Sequence, residues 1–197
     1  MMPQNGINGA TYLALFLSQF DFQGNAKTYL DIIAETLHKD FFAEKTGLAY
    51  TDPKMGELTM NAGVFNFSKE SEENTIALNF RYPQGVDTDS IKADLEKLEG
   101  PKAVSLSEHG HVPHYVPVDD PMVETLLSVY EKQTGLKGHE QIIGGGTFGR
   151  LLKRGVAYGA MFPGYVNTMH QANEFTEVED LYRAAAIYAE AIYELIK

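Results

Sequence analysis

Apolar residues in the first stretch of the chain recur at helical spacing, with Leu13, Phe16, Leu17 and Phe20 in one run and Tyr29, Ile32, Ile33 and Leu37 in the next. These runs predict two helices, broken at Gly24-Asn25. After Thr46-Gly47 the period changes to two. Leu58, Met60, Ala62 and Val64 alternate, then the phase slips near Gly63 so that Phe65 and Phe67 carry the pattern, which predicts a strand with a bulge. The polar run from Ser68 to Glu73 predicts a turn. In the strand that follows, Ile76, Leu78, Phe80 and Tyr82 take one face and Thr75, Ala77, Asn79 and Arg81 the other. A third helix, starting at Asp87 or Asp89, carries Ile91, Leu95 and Leu98 inward and ends at Gly100-Pro101. Val104 and Leu106 then predict a strand. This order reads as an antiparallel sheet with helices on one face, an α+β arrangement.

From His114 to Pro121 the periodicity stops, and prolines at 117 and 121 favour extended chain. A boundary near Pro117 divides residues 1–115 from 116–197. Beyond it, Asp120 suits an N-cap and Pro121 a first helical position, with Met122, Val123, Leu126, Leu127 and Tyr130 as the buried stripe up to Gly135. Next come a short strand near Gln141–Ile143, the run Gly144-Gly145-Gly146, a short helical stretch over Thr147–Arg154 and an apolar strand through Val156–Met161. The last helix opens on the capping box Thr176-Glu177-Val178-Glu179 and is expected to bury Leu181, Ala185, Tyr188, Ile192 and Leu195. This half reads as α/β.

Composition narrows the function classes. The 197 residues hold 16 Lys+Arg against 27 Asp+Glu, a formal net charge of −11, which argues against nucleic acid and anionic membrane surfaces as partners. With no cysteine, disulfides, thiolate nucleophiles and Cys-ligated zinc are excluded, so any metal must sit on His, Asp and Glu. The N-terminus carries no basic stretch of the signal-peptide kind, and no apolar run approaches the roughly 20 residues of a membrane span. A soluble, cytoplasmic protein is expected.

Four features could carry chemistry. Gly144-x-Gly146-x-x-Gly149 matches the glycine spacing of a dinucleotide-binding turn, but the next expected strand follows after about ten residues, too few for the full crossover helix. Backbone N–H groups of the glycine run could still hold a carboxylate or small anion; the plainer reading is a tight turn. His109, His111 and His114 are either a metal cluster or exposed polar residues. His170 lies in the loop Thr168–Glu174 before the last helix, where a single imidazole is one ligand or none. Arg81 is either on the wet face of its strand or a guanidinium fork that grips a carboxylate through two parallel hydrogen bonds.

Three segments taken together bear on these alternatives: Asn79-Phe80-Arg81-Tyr82-Pro83-Gln84-Gly85, Ile143-Gly144-Gly145-Gly146-Thr147-Phe148-Gly149-Arg150 and Met169-His170-Gln171-Ala172-Asn173-Glu174. In this order, and with the opening Pro3-Gln4-Asn5-Gly6-Ile7-Asn8-Gly9-Ala10, the chain resembles the PepV-type dipeptidases of the M20 metallopeptidase family from residue 3 to the last helix. The resemblance implies a ferredoxin-like lid domain, of which residues 1–115 are the later part, and a zinc-exopeptidase catalytic domain whose closing segment is 116–197. It implies His170 as a zinc ligand, Arg81 as the lid arginine that holds the C-terminal carboxylate of a dipeptide substrate, and Gly145 and Gly146 as backbone contacts to the same substrate end. The histidines 109, 111 and 114 match no ligand of the family.

The remaining ligands of the family's two zinc ions, and its general-base glutamate, belong to an N-terminal half for which this sequence has no counterpart. The chain is therefore expected to be a fragment that does not hold zinc stably or hydrolyse peptides alone, and whose uncovered apolar surface drives homo-oligomers. The alternative is a non-catalytic module that binds a small carboxylate.

Overall fold

The computed structural model describes residues 2–70, 74–100, 103–107, 110–159 and 161–197. The chain divides into two compact units, Met1–His114 and Tyr115–Lys197.

In the first unit, α1 spans Gly9–Leu17, and the Asn8 side chain caps it by accepting the Thr11 N–H at 3.3 Å. Asn8 Nδ2 donates to the Ala62 carbonyl at 2.7 Å, which ties this helix start to the sheet. Helix α2, Gly24–Asp31, runs on into a π-helical turn, Ile32–Leu37, closed by His38 N–H donating to Ile33 O at 2.8 Å. Strands β1, Thr51–Asp52, and β2, Gly56–Glu57, form a short ladder. The main hairpin pairs β3, Thr59–Asn66, with β4, Thr75–Arg81. Its register shifts between Ala62 and Val64, so Gly63 is the extra residue and the expected bulge is present. Helix α3, Thr88–Leu95, has the Asp87 cap and buries Ile91 and Leu95. The core gathers Ile33, Leu37, Leu58, Met60, Ala62, Ile91 and Leu95, with Ile76, Leu78, Phe80 and Tyr82 packed on it from β4 and the residue after it.

Two expectations fail here. Residues 103–107 form no strand, because no described neighbour supplies a ladder for Val104 and Leu106. Helix α1 buries Thr11 and Ala14 and turns Leu13 and Phe16 outward, since the small side chains permit close packing against the neighbouring π-helical turn; Phe20, beyond its end, is exposed as well.

In the second unit, α4 spans Pro121–Thr134, with Asp120 as N-cap and Gly135 in the left-handed conformation after its end. Its buried residues are Val123, Leu126 and Val129. Helix α5, Val178–Ile196, packs on α4 through Ile187 and Ala191, and Phe162 completes the small core. The Tyr158 hydroxyl donates to Leu126 O at 2.7 Å, and Tyr188 donates to Tyr158 O at 3.0 Å; burial pushes the Tyr158 phenol up to about 12. Lys132 and Gln133 of α4 both hold the Glu190 carboxylate of α5.

The expected capping box is not formed. Glu177 is the N-cap of α5 and gives no side-chain bond, while Thr176 lies one residue earlier against Tyr165. The inward face of α5 is Ala184, Ile187 and Ala191 rather than Leu181, Ala185, Tyr188, Ile192 and Leu195. Apolar residues cover more than one side of this helix, and the alanines let α4 approach. The strands expected over Gln141–Ile143 and Val156–Met161 are not formed among the described residues; Ala160 lies outside them.

Candidate functional site

Arg81 is the last residue of β4 and pairs across the hairpin with Thr59. It is half-buried and alternates with the core-facing Phe80 and Tyr82. Among the described residues no carboxylate pairs with its guanidinium, although the chain as a whole is strongly acidic. The turn after it is held from the side. Gly85 has φ +91°, and a Cβ there would overlap the Tyr50 hydroxyl and sit 2.9 Å from Tyr50 Cζ. Tyr50 is itself fixed by its carbonyl, which accepts the Leu58 N–H at 2.8 Å, one residue before the partner of Arg81.

Gly144, Gly145 and Gly146 form an exposed turn before a short 3-10 helix, Phe148–Leu151, which covers only part of the helical stretch expected over Thr147–Arg154. The three-glycine spacing acquires a physical meaning that has nothing to do with a dinucleotide. A Cβ on Gly146 would overlap the Arg150 guanidinium, and one on Gly149 would lie 3.0 Å from the Val156 carbonyl carbon. One on Gly155 would run into the Gly149 carbonyl oxygen. The loop is thus folded back on itself by glycine contacts. Its far end is anchored where Arg154 donates from Nε and Nη2 to the two carboxylate oxygens of Asp120 at 2.9 and 2.6 Å.

His170 stands at the exposed tip of a loop whose neck is closed by its own side chains. Phe175 N–H donates to Thr168 Oγ1 at 3.1 Å, Tyr165 donates to Phe175 O at 3.3 Å, and His170 N–H donates to Glu174 Oε2 at 3.3 Å. His170 and Asn173 have φ +64° and +60°, a left-handed backbone that non-glycine residues adopt rarely and that clusters at functional loops. The motif Met169–Glu174 reveals neither the strain nor the neck.

Arg81 belongs to the first unit, whereas Gly145, Gly146 and His170 belong to the second. His109 lies outside the described residues; His111 is exposed and His114 half-buried. Among the described residues no three His, Asp or Glu side chains come together in a metal-holding group. Among the described residues His170 offers zinc one imidazole and no complete donor set, since its bond to Glu174 runs from the backbone N–H. Nor is any helix among the described residues long and apolar enough to cross a membrane. Sequence reasoning missed Arg150 and Tyr50 as neighbours of the site. Arg150 ends the glycine motif and could have been found there, whereas nothing near Gly85 points to residue 50.

Residues 19–194 match Peptidase family M20/M25/M40. The chain is 50% identical over 196 residues to the Beta-Ala-Xaa dipeptidase of Lactobacillus delbrueckii subsp. lactis, covering 99% of this chain and 41% of that protein. It is 38% identical over 198 residues to YtjP of Bacillus subtilis (strain 168), provisionally named a dipeptidase, covering 100% of this chain and 42% of YtjP. A provisionally named dipeptidase of Staphylococcus epidermidis is 37% identical over 201 residues, covering 99% of this chain and 42% of its own length. The chain therefore spans about two-fifths of the length of the curated relatives it matches. It belongs to Peptidase family M20/M25/M40.

Proposed function

We propose that this member of Peptidase family M20/M25/M40 supplies the substrate-end recognition of a PepV-type dipeptidase acting on β-alanyl dipeptides. The observation that carries the reading is Arg81, a half-buried guanidinium at a strand end with no acidic partner among the described residues. The match to a relative named for Beta-Ala-Xaa dipeptides supports the substrate class. Residues 1–115 are taken as lid and 116–197 as the closing segment of the catalytic domain.

In this reading Arg81 holds the C-terminal carboxylate of the dipeptide through two parallel charge-assisted hydrogen bonds, a geometry lysine cannot copy. Backbone N–H groups of Gly145 and Gly146, in the second unit, suit a carboxylate as partner. An enzyme that demands a free C-terminus next to the scissile bond cleaves at the end of a chain rather than inside it. Hydrolysis adds water across the carbon–nitrogen bond, and the leaving amine takes a proton. His170 is one imidazole of a metal centre whose other donors lie outside this chain. The relatives' names speak for turnover rather than for a carboxylate-binding module.

The uncovered partner, in this account, is the polypeptide that the relatives have in addition. The outer side of α5, with Leu181 and Ile192 at 56% and 60% exposure, is the surface offered to it; in its absence copies of the chain associate through it. A hybrid enzyme tests the function: this chain replaces the matching segment of the Lactobacillus relative, and hydrolysis of β-alanyl-alanine is measured. Hydrolysis supports the reading, and a folded hybrid without it counts against it.

A further inference from the structure

We propose that Arg150 is a positioning residue of the Gly144–Gly146 turn, laying its guanidinium along Gly146 and raising the turn's preference for a carboxylate over the corresponding amide. The inference rests on the proposed substrate-end reading and adds a residue to it.

The short 3-10 turn sets the direction of the side chain. Arg150 N–H donates to Thr147 O at 3.3 Å and Leu152 N–H to Gly149 O at 3.1 Å, which sends the Arg150 side chain back toward the residues that precede the turn. It lies along Gly146: a Cβ there would overlap Arg150 Nη1, with Cζ at 2.7 Å and Cδ at 3.3 Å. Only glycine leaves room for the whole side chain. The arrangement is braced on the other side, because Gly149 and Gly155 meet backbone to backbone and Arg154 is clamped on Asp120.

Gly145 and Gly146 are exposed, and among the described residues their N–H groups donate to no protein acceptor. Peptide N–H donors alone bind a carboxylate somewhat better than a neutral carbonyl. A guanidinium beside them widens that preference, because its positive charge attracts the carboxylate and not the neutral amide. Arg150 acts through the turn, by holding Gly146 and by its charge, whereas Arg81 belongs to the other unit.

The test is an amide-resolved NMR titration of the 197-residue chain with alanyl-alanine and with its C-terminal amide. The free acid is expected to shift the Gly145 and Gly146 amides at lower concentration than the amide does. Arg150→Gln is expected to weaken the free acid about tenfold while leaving the amide unchanged, so that discrimination shrinks by the same factor. Arg150→Lys, which keeps the charge without the planar fork, is expected to retain part of it. Gly146→Ala, whose Cβ expels the guanidinium, is expected to match Arg150→Gln, with no further loss in the double variant; unchanged α4 and α5 amides certify the fold. Undiminished discrimination in Arg150→Gln overturns the inference and leaves the glycine contacts standing. If the free acid fails to shift Gly145 and Gly146 in the unsubstituted chain, the glycine contacts and the inference fall together.

Discussion

Arg154 closes a two-pronged hydrogen bond on Asp120, and the same carboxylate caps α4 by accepting the Met122 N–H at 2.9 Å. One side chain therefore fixes both the start of a helix and the far end of the glycine loop. The Arg154 guanidinium first, and the Met122 amide second, hold the Asp120 carboxyl below its ordinary range. A depressed carboxyl contributes stability that is present above its unfolded value and lost as the pH falls through the folded one. Asp120→Asn, which can still cap, is predicted to lower the melting temperature less than Asp120→Ala. It is also predicted to flatten the acid limb of a melting-temperature curve below about pH 4. Equal melting temperatures for the two variants would remove the cap from the account.

His38 gives the opposite end of the ordinary pH range a handle in the first unit. The Thr11 hydroxyl stands 3.1 Å from Asn8 O and 3.1 Å from His38 Nδ1, which ties the buried imidazole to the start of α1. Tyr12 meets the ring edge-on, Lys45 donates to the His38 carbonyl, and Lys39 is the next residue. Burial, then Lys39 and Lys45, push the imidazole below its usual value. Its contribution is present above about pH 6.5 and lost as the pH falls through the lowered folded value. Urea midpoints are predicted to drop between about pH 7.5 and 5.5, and to drop less in His38→Gln. An unchanged slope in the variant would contradict this.

A Cβ added at Gly155 would stand 2.3 Å from the Gly149 carbonyl oxygen, a backbone atom that cannot swing aside. Gly155 is also buried. Gly155→Ala is predicted to cost about 1–3 kcal/mol in urea unfolding. Gly159→Ala, where nothing lies within 4 Å of the new methyl, is the control and is predicted to be near neutral.

The outer face of α5 predicts association. Sedimentation of the chain should show concentration-dependent oligomers, and Leu181→Glu with Ile192→Glu should shift the population to monomer. A compact monomer at all concentrations would contradict the assignment of that face.

Local rules made part of this fold legible. Alternation located β3 and β4 and even the slip at Gly63, because one face of the hairpin is buried and a register error would expose it. Asp87, Asp120 and Gly135 sit where helix-end chemistry puts them. The inward face of α5 was not legible, since apolar residues line more than one side and the choice depends on which neighbour is present. The strands expected at 104–106 and 141–143 have apolar patterns but no ladder partner among the described residues. At the candidate site, the motifs marked Arg81, Gly145, Gly146 and His170. They carried no sign of the Arg150 side chain along Gly146 or of Tyr50 against Gly85, which arise from backbone approach between residues.

In the proposed function the Arg81 guanidinium reads a substrate carboxylate. The most direct measurement is kcat/KM for β-alanyl-alanine in the hybrid enzyme, with Arg81 and with Arg81→Ala. A charged hydrogen-bond pair lost at the substrate end predicts a fall of about 10–100-fold with a raised KM, and no comparable fall for the C-terminal amide. Equal kcat/KM in the two hybrids would contradict the account.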